Sequence, residues 1–153
     1  MKKLLKLIGW GLALINKILP NPPQSSASIY IHKLKYTADE ARNLFRLVED
    51  ATCRIGEFCH TLKRGFEWDG ASIPNWAWLI VGTPFEPRFM AASALHDDMY
   101  RQGLDRADAD LYFYWILLES GVDQKTAEKM YYAVKIGGWK PYNKYLKENK
   151  GQI

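Results

Sequence analysis

The apolar positions of this chain change their period several times, and each change predicts an element. Between Met1 and Leu19 they follow a helical period. Leu4, Leu5, Ile8, Leu12 and Ile15 fall on one side of the wheel, Lys2, Lys3, Lys6 and Lys17 on the other, with Trp10 near the border. This predicts an amphipathic helix over 1–19, stopped by Pro20, and a short Pro/Ser-rich linker over 20–27. Ser28 to Tyr36 alternates and predicts a strand. Thr37 and Glu40 have capping-box spacing. They predict a helix that runs to Asp50, with Ala41, Leu44, Phe45 and Val48 as its apolar face. Arg54 to Trp68 predicts a β-hairpin turning at Lys63-Arg64-Gly65, and the proline- and ring-rich stretch 69–87 predicts an ordered loop.

The second half is helical in pattern. Arg88 to Arg101 predicts one helix, Gln102-Gly103-Leu104-Asp105 a turn, and Ala107 to Ser120 a second helix closed by Gly121. Asp123 caps a third, which ends at Gly137-Gly138, and a basic Lys/Tyr-rich tail occupies 138–153. The expected fold is α+β: one small globular domain over 28–137, dominated by helices, with a central antiparallel helix pair and a short β-hairpin or sheet.

Composition narrows the class. With 153 residues, 48% of them hydrophobic and 25% charged, the chain is neither disordered nor a multi-span membrane protein. The net charge of +4 is unevenly spread. Residues 1–19 hold four lysines and no acid, 20–136 hold 13 basic and 16 acidic residues, and 137–153 hold four lysines and one acid. A mildly acidic body with two basic ends does not present the continuous basic face of a nucleic-acid binder. The expected partner is instead a membrane lipid surface, or a partner protein, met through the N-terminal helix. A signal peptide ranks behind these, because Asn16-Lys17 and the prolines make a poor approach to a cleavage site. Cys53 and Cys59 are too few for a disulfide framework and are expected to be small, semi-buried thiols.

Two stretches carry candidate chemistry. In the first, His96 lies seven residues before Gly103 and Asp110 seven after it. If the chain reverses at Gly103, the two stand level on neighbouring helices. Asp110 can then accept from one ring nitrogen and leave the other as a general base. Tyr100, one turn beyond His96, can bond the same carboxylate, and Phe113 follows one turn after Asp110. Asp97 projects about 100° from His96, where its oxygens suit a hard cation. The competing expectation is a buried network that only holds the helix pair together. Asp98, Asp105 and Asp108 are read as solvated charges. In the second stretch, Asp69-Gly70 forms a tight turn before Ser72 and Pro74; the Ser72 hydroxyl suits a local backbone cap better than a nucleophile, and Asp69 can face His96 or a metal.

Four motifs together resemble a family of uncharacterised phage and prophage proteins, domain of unknown function thirteen-fifty-three. They are Phe66-x-x-Asp69-Gly70-Ala71-Ser72-Ile73-Pro74, His96-Asp97-x-x-Tyr100, Ala109-Asp110-x-x-Phe113 and Tyr132-x-Val134-x-x-Gly137. The resemblance spans roughly residues 54–137 and implies a phage or prophage origin, with the protein in the host cell at its membrane or in the phage particle. The His-Asp-x-x-Tyr and Asp-x-x-Phe motifs also resemble secreted phospholipases A2. That resemblance implies His96 as base, Asp110 as its orienting group, Tyr100 as a supporting donor and Asp97 as a calcium ligand. The chain carries none of those enzymes' disulfides. A forced match to HD-type phosphohydrolases uses His60, His96-Asp97 and Asp123, and it conflicts with the strand expected around His60.

Overall fold

Among the described residues six short strands come first and four helices follow. The structure is a computed structural model and describes residues 19–22, 29–31, 34–70 and 86–151. The expected N-terminal helix, including Leu4, Leu5, Lys6, Ile8, Trp10, Leu12, Ile15 and Lys17, lies outside the described residues, as do Ser72 and Pro74.

The strands are β1 (Ile29–Ile31), β2 (Tyr36–Asp39), β3 (Leu44–Leu47), β4 (Ala51–Ile55), β5 (Phe58–Leu62) and β6 (Glu67–Trp68). They form two antiparallel three-stranded sheets, ordered β1-β4-β5 and β2-β3-β6. The β4–β5 hairpin pairs Ala51 with Leu62 and Ile55 with Phe58, and it turns at Gly56-Glu57, where Gly56 takes a φ of 58°. That corrects the expected hairpin turn at Lys63-Arg64-Gly65. Those residues do turn, but they carry the chain from one sheet to the other. Asp50 braces them, accepting from the Arg64 backbone N–H at 2.7 Å and from Lys63 Nζ at 2.9 Å.

The larger correction falls on residues 37–47, where the expected helix is the β2–β3 hairpin. Polar residues beside the Thr37/Glu40 pair brace its turn instead. The Asp39 carboxylate accepts from the Arg42 backbone N–H at 3.1 Å and from Arg42 Nε at 2.7 Å, and Asn43 takes a left-handed φ of 56°. The aromatic rings settle the outcome. Tyr36, Phe45 and Trp68, one from each strand of the sheet, meet at centroid distances of 5.5–5.7 Å. Only paired strands bring them together, and cross-strand ring pairs override local helix propensity.

A 3-10 turn (Pro87–Phe89) leads into α1 (Met90–Arg101), followed by α2 (Arg106–Glu119), α3 (Gln124–Gly137) and α4 (Trp139–Lys150). Asp105 caps α2 by accepting from the Asp108 N–H, and Asp123 caps α3 by accepting from the Thr126 N–H, both at 3.0 Å. Gly103 allows the tight α1–α2 reversal with a φ of 67°. The Lys/Tyr-rich segment after Gly138 is helical and packs on α1: Tyr142 donates to the Leu104 carbonyl and Asn149 to the Arg101 carbonyl.

Helix α1 belongs to two cores. Ala92, Leu95, Met99 and Tyr100 pack into the larger one with Phe113, Leu117, Met130 and Val134 from α2 and α3 and Cys53 and Ile55 from β4. Met90 and Ala94 face a smaller core with Leu47, Leu62 and Trp68. Each fully buried Leu, Met or Phe contributes about 1.5–3 kcal/mol of transfer free energy, so α1 is fixed in rotation from two sides. Pro20, in the expected linker, is tied to α2 by Trp115 Nε1, which donates to its carbonyl at 2.8 Å.

Candidate active site

Successive residues of a helix are turned by about 100°, so His96, Asp97 and Asp98 of α1 face three directions and meet three sets of partners. His96 faces α2, and its Nε2 lies 2.9 Å from Asp110 Oδ1. Tyr100 donates its hydroxyl to the same oxygen at 2.6 Å. The His96 ring packs between Tyr100 and Phe113, at centroid distances of 4.1 and 5.2 Å. His96, Tyr100, Asp110 and Phe113 therefore assemble as their spacing predicts. His96 and Asp110 are only 4% and 3% exposed, so their bond forms in a low-dielectric setting where it is strong.

A fifth residue, Arg106, completes the cluster and was not among the expected site residues. Its Nε sits 3.3 Å from the Tyr100 hydroxyl and 3.8 Å from Asp110 Oδ2, and its Nη2 donates to the Lys135 carbonyl near the end of α3. The available sequence signal was its i,i+4 relation to Asp110. Gly138 is the second missed residue. A Cβ there would stand 2.4 Å from the Tyr100 hydroxyl oxygen and 2.6 Å from the Val134 carbonyl, so a glycine is what lets α3 and α4 close over the tyrosine.

The second ring nitrogen of His96, Nδ1, lies 3.9 Å from Asp97 Oδ1. Burial disfavours the charged ring, but the Asp110 and Asp97 carboxylates outweigh it, and the His96 pKa is raised above its ordinary value. Asp97 is itself buried. Desolvation pushes its pKa up, His96 draws it back, and the charge of Asp69 adds to the rise. Asp69, just past β6 and before the buried Gly70, is thus within electrostatic reach of Asp97. Burial and the Asp110 carboxylate hold the Tyr100 hydroxyl protonated, far above its ordinary pKa.

Asp98 faces the opposite way, toward the first sheet. Its Oδ2 lies 2.6 Å from His60 Nε2 of β5 and accepts from Gln102 Nε2 at 2.7 Å. It is a pairing carboxylate and not a solvated charge. The same contact removes the HD-type assignment, since His60 pairs with Asp98 and Asp123 caps α3. Asp105 is likewise a cap.

For calcium, the described residues offer Asp97 and Asp69, two carboxylates that repel one another. Among the described residues no group of three or more His, Cys, Asp or Glu side chains converges on a metal position. Carboxylate oxygens are the donors calcium takes, in shells of six to eight, and these two side chains would supply part of such a set.

The profile of a protein family of unknown function, DUF1353, matches residues 45–134, and the chain belongs to that family. The matched span runs from within β3 to within α3 and holds His96, Tyr100, Arg106, Asp110 and Phe113, with Lys135 and Gly138 just beyond it. The chain is also similar to the uncharacterized protein y4jT of Sinorhizobium fredii (strain NBRC 101917 / NGR234), at 33% identity over 109 residues. That alignment covers 65% of this chain and 30% of the relative, so the chain spans less than a third of that protein's length. No solved structure matches it.

Proposed function

We propose that this chain is a hydrolase with a phospholipase A2-like site, in which His96 is the general base and Asp110 its orienting group. The observation that carries the reading is the division of the His96 ring between two carboxylates. Nε2 is hydrogen-bonded to Asp110, whereas Nδ1 stands 3.9 Å from Asp97, beyond direct hydrogen-bond range. In this mechanism Asp110, held by Tyr100 and Arg106, fixes the ring so that Nε2 carries the proton. Neutral Nδ1 takes a proton from a water, the water oxygen attacks an ester carbonyl, and the proton passes from Nδ1 to the leaving alcohol. Asp97 and Asp69 are the side chains that would hold calcium, which when bound supplies positive charge to polarise the carbonyl. The expected amphipathic segment over 1–19 would bring the site to a lipid surface, in the host membrane setting that a phage or prophage origin implies. Among the described residues no helix is long and apolar enough to cross a membrane.

The raised His96 pKa sets a pH rule. The neutral ring is the active form, so the rate climbs with pH and levels off only above the ordinary histidine value of about 6.5. The test is fatty-acid release from phosphatidylglycerol and phosphatidylcholine vesicles, with calcium and with chelator. His96→Gln lowers release by about 10²–10⁴-fold while the circular dichroism spectrum stays native. Folded wild-type protein that releases nothing from either lipid, or His96→Gln with full activity, overturns the proposal.

A second reading has its own support. The cluster links three helices through Arg106 and the Lys135 carbonyl, and its ring and carboxylate are almost fully buried. On this reading the protein is a non-enzymatic phage component or accessory protein, and the network is an internal lock. Loss of stability without any activity to lose identifies it.

A further inference from the structure

Helix α4 has two unlike faces. Tyr142, Tyr145 and Asn149 turn toward the body of the protein, where Tyr142 and Asn149 bond α1–α2 carbonyls and Tyr145 lies against the larger core. On the outer face, Lys140, Lys144, Lys147 and Lys150 are all exposed. At 100° per residue these four, with Trp139 and Ile136, fall within an arc of roughly 140°. The helical path is nearly unbroken across the α3–α4 junction. Gly138 keeps right-handed helical angles, and the Tyr142 N–H bonds to its carbonyl at 3.1 Å.

The apolar residues at the start of this stripe are unusual for a surface. Ile136 is 63% exposed and Trp139 51%. Among the described residues the one other exposed large hydrophobic side chain is Val48, at 41%, on the β side of the molecule. Lys140 Nζ lies 5.8 Å from the Trp139 ring centroid, so ring and ammonium share one patch. The stripe carries a single acid, Glu148, paired at its edge with Lys144 at 3.8 Å.

We propose that the outer face of α4 is a docking surface for an anionic phospholipid bilayer. Trp139 and Ile136 enter the headgroup–acyl boundary, and the lysine row lies along the phosphates. Charge complementarity selects this occupant: a row of four ammonium groups meets a negative plane, and the indole and isoleucine add the shallow apolar anchoring that such helices use. Lysine is a point charge that suits a diffuse phosphate surface, and no arginine, the residue of bidentate phosphate recognition, lies on this face. The proposal uses none of the His96 cluster and stands apart from the hydrolase reading.

The experiment is vesicle flotation of the full chain with phosphatidylglycerol and with phosphatidylcholine vesicles, and in parallel a gel shift with double-stranded DNA. Two variants are compared with wild type: Lys140→Gln/Lys144→Gln/Lys147→Gln, and Ile136→Ser/Trp139→Ser. All altered side chains are exposed, and circular dichroism melts check that both variants keep the wild-type fold. Wild type binds phosphatidylglycerol vesicles and releases at high salt. Each lysine near an anionic surface contributes about fivefold, so the triple variant loses on the order of 100-fold in partitioning. The double variant loses binding to the same vesicles at equal charge. Three results overturn the proposal: no preference for phosphatidylglycerol, partitioning unchanged in the triple variant (binding then resides elsewhere in the chain), or a lysine-dependent DNA shift without vesicle binding.

Discussion

Asp110→Asn is the substitution that most directly probes the central cluster. The carboxylate serves His96 Nε2 at 2.9 Å, the Tyr100 hydroxyl at 2.6 Å and Arg106 Nε at 3.8 Å, and it is 3% exposed. Asparagine keeps the shape and an acceptor for Tyr100 but removes the charge. A buried imidazolium then loses its hydrogen-bonded anion and keeps only Asp97 at 3.9 Å, a loss of about 3–5 kcal/mol. In a domain of this size that lowers the melting temperature by on the order of 10 °C. The loss depends on pH, and its sign follows from His96. Its folded pKa is raised above the unfolded value of about 6.5, so the bond's contribution is complete below that pH and fades as pH rises through the folded pKa. Urea denaturation followed by tryptophan fluorescence, at about pH 5.5 and about pH 9, measures the difference between wild type and variant. That difference is larger at the lower pH. A variant within 1 kcal/mol of wild type at both, or a difference that grows with pH, refutes the account of a charge-coupled His96–Asp110 pair.

Gly138→Ala places a methyl 2.4 Å from the Tyr100 hydroxyl oxygen and 2.6 Å from the Val134 carbonyl, and it destabilises by about 1–3 kcal/mol despite alanine's smaller unfolded-state entropy; thermal melts of the single variant and of its combination with Tyr100→Phe, which relieves part of the clash, check this. Native protein treated with iodoacetamide at neutral pH alkylates at exposed Cys59 and not at Cys53, whose thiol burial pushes up to about 12; peptide mass mapping reads the two sites separately.

The helical half was legible because its signals are local. Asp123 is a cap that acts within three residues of itself, and the seven-residue offsets of His96 and Asp110 from Gly103 place them level once the turn is assumed; Asp105, read as a solvated charge, is the cap of α2. The 37–47 hairpin was not legible from its own residues. Its capping-box spelling is real, and the partners that decide against a helix, Tyr36 and Trp68, lie outside the segment. Asp98 was misread for the same reason, since His60 is 38 positions away in the chain. Arg106 was missed although its i,i+4 partner was already named, because its other contacts, Tyr100 and the Lys135 carbonyl, come from helices on either side. Gly138 reads locally as a helix terminator, and the hydroxyl it makes room for comes from another helix.

The fan of His96, Asp97 and Asp98 has a consequence for how this protein can change length. One residue inserted or deleted between Leu95 and Arg101 rotates everything after it by about 100°. Tyr100 would then be carried away from Asp110, or His96 from its place between Tyr100 and Phe113, while Asp98 would leave His60. No compensating substitution on a single neighbour restores contacts made to two other helices and a strand. The Gly56-Glu57 turn closes a local hairpin, and the chain between β2 and β3 is braced within its own sheet, where Arg42 bonds Asp39 and Glu67 of β6. A change of length is therefore borne more readily at the Gly56-Glu57 turn than in α1, where the interval from His96 to Tyr100 behaves as a fixed ruler.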